Sequence, residues 1–255
     1  MSEHAGADQA GANQAGAAQS GTEPAGGHIL VLGVSRGGTT LLAAALGAHS
    51  RVAMLDEDFS GAFARVTGGK IGGVKLCVPN QVELSRRWHP LYALGTWNGV
   101  LRKSHLMNRV PRSPLSIRDH QALASLTPVC ILRDPRAVVA AIMGRENRSR
   151  RVALYRWRRC LEVFLELERD RDRPPVFVDF DRLVTRPEVT LRALSGRLGL
   201  DYEAAMLQAP ARNERYPGPV FDVAKAGPAG GTELELRELP ESLWQAYRRL
   251  LAASV

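Results

Sequence analysis

The stretch "HILVLGVSRGGTTLLAAALGAH", residues 28–49, constrains this chain more than any other. Its opening, "HILVLGV", is a short unbroken apolar run, which is how a strand reads when both of its faces are buried. It passes through glycines into "TTLLAAALGAH", whose helix formers and apolar spacing suit a helix packed on a sheet. Strand, glycine loop and helix form the setting of a phosphate-binding loop. In the pattern G-x-x-x-x-G-K-[ST], backbone N–H groups cradle phosphate and the lysine reaches the outer phosphates. Gly33, Gly38 and Thr40 keep that spacing, but Thr39 stands in the lysine's place and a basic residue, Arg36, lies inside the loop instead.

Further strands are predicted at residues 51–55, 72–78, 99–103, 128–133 and 174–180, and helices at 117–126, 136–146, 150–170, 187–198 and 239–252. This alternation predicts an α/β fold of the P-loop type, a parallel sheet flanked by helices. The length of 255 residues fits one domain, expected at 28–255. Residues 1–27 are rich in Ala, Gly and Gln without hydrophobic periodicity and read as a disordered low-complexity tail. They lack the basic start and apolar run of a secretory signal, and no apolar run long enough for a membrane span follows. Cys77, Cys130 and Cys160 form no C-x-x-C pair, so a reducing, cytoplasmic setting is expected, with neither a disulfide framework nor a zinc site. The net charge of +8 points to an anionic partner. Aromatic residues are only 6% of the chain, too few for the stacking surface of a single-strand nucleic-acid binder. The Gly- and Pro-rich segment 211–234 reads as a long loop over a ligand cleft.

The stretch "GVSRGGTTLLAAALGAHSRVAMLDE" resembles the first signature of the sulfotransferase superfamily, whose members bind the sulfuryl donor PAPS (3′-phosphoadenosine 5′-phosphosulfate) through [RK]-[SG]-G-T-[TS]-[LW]-L. The second signature, a strand ending in R-D-P-R followed by a helix, is matched by "CILRDPRAVVAAI". "LRKSHLMNR" resembles the family's K-[ST]-[PH] strand end, "YRWRRCLEVFLE" its tryptophan-bearing helix, and "FVDFDRLVTRPEVTLRALSGRLGL" its Y-E-x-L-V-x-x-P segment with the closing F-L-G-L. The likeness runs in order over residues 28–206 and is to bacterial sulfotransferases with signatures of the tyrosylprotein type. It implies the sulfotransferase fold and transfer of a sulfuryl group from PAPS to a hydroxyl, less readily an amine, without a metal.

Arg36 stands where the family places its catalytic Lys or Arg, facing the bridging oxygen on which charge develops. The backbone of Gly37, Gly38, Thr39 and Thr40 at a helix N-terminus is then expected to hold the 5′-phosphate, and Arg133 the 3′-phosphate by its planar fork. The family's serine eight residues after that arginine is Ala141 here; Ser149, or one of Arg145, Arg148 and Arg150, is the expected substitute. Two groups compete for general base. Glu57, flanked by Asp56 and Asp58, lies 21 positions after Arg36, at the offset of the tyrosylprotein-type glutamate, and His49 keeps the family's A-H-P place. His105 in "RKSHL" resembles the histidine of the cytosolic K-T-H-L. Lys103 is a candidate cation for the sulfuryl group. Lys75, Pro79, Asn80 and Trp88 are candidates for an acceptor pocket, with a strand and helix completing the sheet as the alternative. His28 and His89 are expected to be structural, and Trp157 to pack in the core. The acceptor, whether small molecule, glycan, lipid or peptide tyrosine, is not coded in these motifs, nor is the oligomeric state; no nucleic-acid partner and no membrane insertion are expected. A P-loop kinase or a non-catalytic nucleotide-binding module remain the alternatives. The first is disfavoured because Thr39 replaces the lysine, and the second draws on Ala141 and the positive charge.

Overall fold

The computed structural model describes residues 27–57, 70–84, 114–118, 123, 125–170, 173–208, 221–227 and 238–255. Strand β1, Ile29–Val34, is buried along its whole length. It is flanked by β3, Ile71–Val78, and β6, Thr127–Leu132, with β2, Val52–Asp56, outside β3 and β7, Val176–Asp179, outside β6. All four pairings are parallel, with Val31 level with Lys75 and Leu32 with Cys130. Such a sheet must be covered on both faces. Leu30, Leu32 and Val34 turn to one core, with Leu76, Val138, Trp157, Phe164 and Leu250. Ile29 and Val31 turn to the other, with Leu42, Leu46, Val178, Leu183 and Leu194. Each fully buried Leu, Ile or Val contributes roughly 1.5–3 kcal/mol. The two faces are the two sides of one β1 pleat, so a one-residue slip of that strand would exchange them.

The helices are α1, Thr39–Gly47; α2, Pro135–Glu146; α3, Arg150–Leu167; α4, Phe180–Thr185; α5, Pro187–Arg197; and α6, Glu241–Ala252. Local signals start and stop them. Asp134 caps α2 by accepting from the Arg136 N–H at 2.8 Å, ahead of Pro135 in the first turn, and Asn147 ends it in the left-handed region at φ 50°. The predicted strand 174–180 stops at Asp179, because that carboxylate accepts from the Asp181 N–H at 2.8 Å and opens α4. The helix predicted at 117–126 is preceded by β5, Leu115–Ser116, which pairs with β4, Val82–Glu83, in a short second ladder; within the predicted span, Leu123 is helical among the described residues. Val255 extends the β7 edge, donating to the Phe177 carbonyl at 3.0 Å and accepting from the Asp179 N–H at 3.2 Å. The tail 1–26, the strand predicted at 99–103 and most of the 211–234 loop lie outside the described residues. Among the described residues no helix is long and apolar enough to cross a membrane.

Candidate active site

The carboxyl ends of β1, β2, β3 and β6 meet at one edge of the sheet, where parallel α/β folds bind ligands. Leaving β1, the chain turns at Val34–Gly37, closed by the Gly37 N–H on the Val34 carbonyl at 2.8 Å. Arg36 takes φ 66° there, in the left-handed region that costs a non-glycine residue roughly 1–2 kcal/mol. Gly38 follows at φ 100°; a Cβ on it would lie 2.4 Å from the Phe180 ring. A side chain on Gly33 would meet the Thr39 methyl at 2.5 Å and Ile131 at 2.7 Å. Both glycines are therefore demanded by close approach. Gly37 contributes its shape, since its amide is spent inside the turn. Among the described residues the amides of Gly38, Thr39 and Thr40 have no hydrogen-bond acceptor, as the first turn of a helix requires. Three N–H groups thus converge at the start of a nine-residue helix with no acidic side chain in its first turn.

Arg133 leaves the end of β6 and is committed inward. It donates to the Arg36 carbonyl at 2.7 Å and the Lys225 carbonyl at 3.0 Å, and stacks 4.1 Å above the Phe180 ring. Its own carbonyl accepts from the buried Trp157 Nε1 at 3.1 Å, so Trp157 supports this corner as well as packing against Trp244 and Tyr247. Burial pulls the Arg133 pKa down, with Arg145 adding to the effect, while Asp181 and Asp134 oppose it. Its Nε is buried without a partner among the described residues. Burying such a donor costs about 1–3 kcal/mol, which a ligand anion at this corner would recover.

Glu146, at the end of α2, joins the loop from the other side. Its carboxylate accepts from the Ser35 hydroxyl, from Arg36 Nε at 3.2 Å and from Arg156 Nη1 at 2.6 Å. Burial pushes its pKa up, but the hydrogen bonds of Ser35 and Arg156 and the charges of Arg156 and Arg36 outweigh this and hold the carboxyl below its ordinary range.

Glu57 follows β2 at φ 55° and is tied twice to β3: its N–H donates to the Lys75 carbonyl at 3.1 Å, and its carboxylate accepts from Lys75 Nζ at 3.0 Å. The Lys75 side chain is only 2% exposed. Lys75 thus serves Glu57, a contact that links two sequence candidates from different proposed roles. His49 is structural: its Nε2 donates to the Asp201 carbonyl at 2.8 Å while Nδ1 accepts from the Arg51 N–H at 3.0 Å. His28 also is, its Nδ1 accepting from Gly72 N–H at 2.9 Å. Ser149 caps α3, accepting from the Val152 N–H at 3.4 Å, and Arg150 pairs with Glu238 at 2.8 Å. Arg145 and Arg148 are exposed. Lys103, His105, Asp58, Trp88 and His89 lie outside the described residues.

No family model and no curated protein matches the sequence. A solved sulfotransferase domain from the Synechococcus PCC 7002 olefin synthase superposes with a TM-score of 0.50 over 91% of this chain and 95% of that one, at 18% identity. The chain has the sulfotransferase fold. Two other solved structures align at lower scores: the sulfotransferase domain of the curacin biosynthetic pathway, TM-score 0.44 at 17% identity over 89% of this chain and 96% of that one, and mouse sulfotransferase SULT7A1 complexed with PAP, 0.43 at 12% over 88% and 83%. On this sulfotransferase fold, Arg36 and Arg133 come together through one hydrogen bond, and Glu57 follows the end of β2, the strand two places from β1. Sequence reading missed Ser35, Glu146 and Arg156, while the 221–227 part of the loop expected over the cleft supplies the Lys225 carbonyl to Arg133. The contact between Glu146 and Arg36 spans 110 positions; only the left-handed residues beside these groups, once seen, flag them.

Proposed function

We propose that the chain transfers a sulfuryl group from PAPS to an acceptor hydroxyl. The observation that carries this reading is the loop itself: three amides at a helix start with no acceptor among the described residues, no lysine in the Thr39 position, and an arginine held beside them in a strained backbone. A donor with one 5′-phosphate joined to sulfate needs amides for that phosphate and a cation at the bridging oxygen, but no lysine for a β,γ-phosphate pair and no bridging metal ion. The amides of Gly38, Thr39 and Thr40 take the 5′-phosphate. Arg133, with its unpartnered Nε, takes the 3′-phosphate side. Glu57, kept in place by Lys75, removes the acceptor proton; His105 is its rival for that role. As the acceptor oxygen forms its bond to sulfur, the bond from sulfur to the bridging oxygen breaks and its electron pair stays on the departing 5′-phosphate, where Arg36 meets the charge. The proton goes to the base, and the nucleotide product is 3′-phosphoadenosine 5′-phosphate. The acceptor is an alcohol or phenol, less readily an amine, met in a cytoplasmic setting.

Calorimetric titration with 3′-phosphoadenosine 5′-phosphate, beside ATP with Mg²⁺, tests the reading. Selective binding of the 3′-phosphorylated nucleotide in the absence of metal is expected. Preference for ATP with Mg²⁺, or binding of neither, overturns it in favour of a kinase or another module.

A further inference from the structure

The Glu146 cluster is absorbed by none of these roles. A carboxylate beside a cation that must stabilise developing negative charge ought to weaken it, since two unit charges 4 Å apart interact by about 4 kcal/mol at the effective dielectric near a protein surface. Two features of the geometry remove that objection. Arg36 reaches Glu146 through Nε, at 3.2 Å, and among the described residues its two Nη groups have no hydrogen-bond partner. The same carboxylate is met on its other oxygen by Arg156 Nη1 at 2.6 Å, a side chain only 14% exposed. One carboxylate between two guanidinium groups leaves the cluster with a net positive charge. A bond at Nε fixes the plane of a guanidinium while its forked end stays open.

We propose that Glu146 is a positioning residue for Arg36: backed by Arg156 and anchored to Ser35, it aims the Arg36 fork at the ligand edge of the loop and stays bonded to Nε when the donor is in place. This rests on the sulfuryl-transfer reading and assigns to the end of α2 a task that neither phosphate contact requires. Asn147, left-handed immediately after Glu146, stops the helix so that the carboxylate is the last group α2 presents before the chain turns away.

The test combines rates with a spectroscopic signature. Sulfate release from PAPS, with water as acceptor, is measured for Glu146→Ala in the wild-type background and in Arg36→Ala. Glu146→Ala should slow release by about 10- to 100-fold, the scale of a misaimed catalytic group, leave the affinity for 3′-phosphoadenosine 5′-phosphate unchanged, and have no further effect once Arg36 is alanine. Glu146→Gln, which keeps an acceptor oxygen, should recover most of the rate; if Glu146→Ala unfolds, Glu146→Gln with Arg156→Met carries the same cycle. In parallel, the Arg36 Nε–H resonance, assigned by its loss in Arg36→Lys, should persist at saturation with the nucleotide. Additive losses in the two backgrounds, or disappearance of that resonance on binding, overturns the proposal: Glu146 is then a structural residue or a resting-state partner displaced by ligand. If the wild-type protein binds neither nucleotide, the sulfuryl-transfer reading fails first and this inference falls with it.

Discussion

Helix α3 sends two arginines, three residues apart, into two separate carboxylate clusters. Arg159 donates to Glu83 by Nε at 2.8 Å and Nη2 at 2.7 Å and to Glu162 by Nη1 at 3.1 Å, and the Arg159 and Glu83 side chains are 8% and 5% exposed. Arg156 meets Glu146, whose other oxygen holds Ser35 and an Arg36 that is 35% exposed. The first cluster is closed: its charges face each other, and Glu83 belongs to the β4 ladder. The second is open on one side, with backbone strain at Arg36 and at Asn147 beside Glu146. Chemically similar clusters met by one helix thus differ in how open they are: the Arg159 side chain is 8% exposed and the Arg36 side chain 35%.

That division is most sharply broken or upheld by substitution in the closed cluster. Glu83→Ala leaves Arg159 buried with only Glu162 and should destabilise the protein by about 3–5 kcal/mol, read by urea unfolding, while sulfate release per folded molecule is unaffected. Arg36→Ala should do the reverse: turnover falls about 10²- to 10³-fold, as for loss of one preorganised transition-state donor, with the urea midpoint almost unmoved. If Arg36→Ala unfolds the protein, or Glu83→Ala abolishes turnover in folded material, the two clusters are not distinct.

Acid sharpens the comparison at smaller scale. The Glu146 carboxyl is held below its ordinary value of 4.5, so its contribution to stability is present above that pH and is lost as pH falls through the depressed native value. Glu162 is held down in the same sense by Arg158 and Arg159 against the opposing effect of burial. Thermal unfolding followed downward from pH 6 should therefore show a steep loss below about 4.5, less steep in Glu146→Gln than in wild type. The smallest effect belongs to an exposed pair on another helix: Arg249, 57% exposed, against Glu168. Arg249→Ala should cost no more than about 1 kcal/mol and vanish into the error at high salt, a baseline against which both α3 clusters can be read.

What was legible in the chain depended on how locally it is written. β1, the glycine loop and α1 are consecutive residues, so the apolar run, the displaced cation and the helix start appear together, and Ile29–Val34 and Thr39–Gly47 fall where expected. The strand before Arg133 and the helix after it were equally local. The α4 helix was hidden because "VFVDF" continues the apolar run across the capping Asp179, and a six-residue helix has no periodicity to display. Lys75 was placed among acceptor candidates, because nothing in "GGVKLCV" tells of a glutamate 18 positions earlier on the neighbouring strand. Nothing local marks Glu146 or Arg156; only the fold brings Ser35 and Arg36 against them. Pairings that cross the sheet are properties of topology, and a single chain of letters does not spell them.

Phe180 gives a last consequence. Its ring lies against Gly38 on the loop, and the Arg133 guanidinium rests 4.1 Å above its centre. The gap between the amides of the glycine loop and the guanidinium is therefore gauged by an aromatic spacer that neither side can compress. On the proposed reading, a ligand with two anionic groups would be measured against that calliper, whose setting belongs to Phe180 at the junction of β7 and α4.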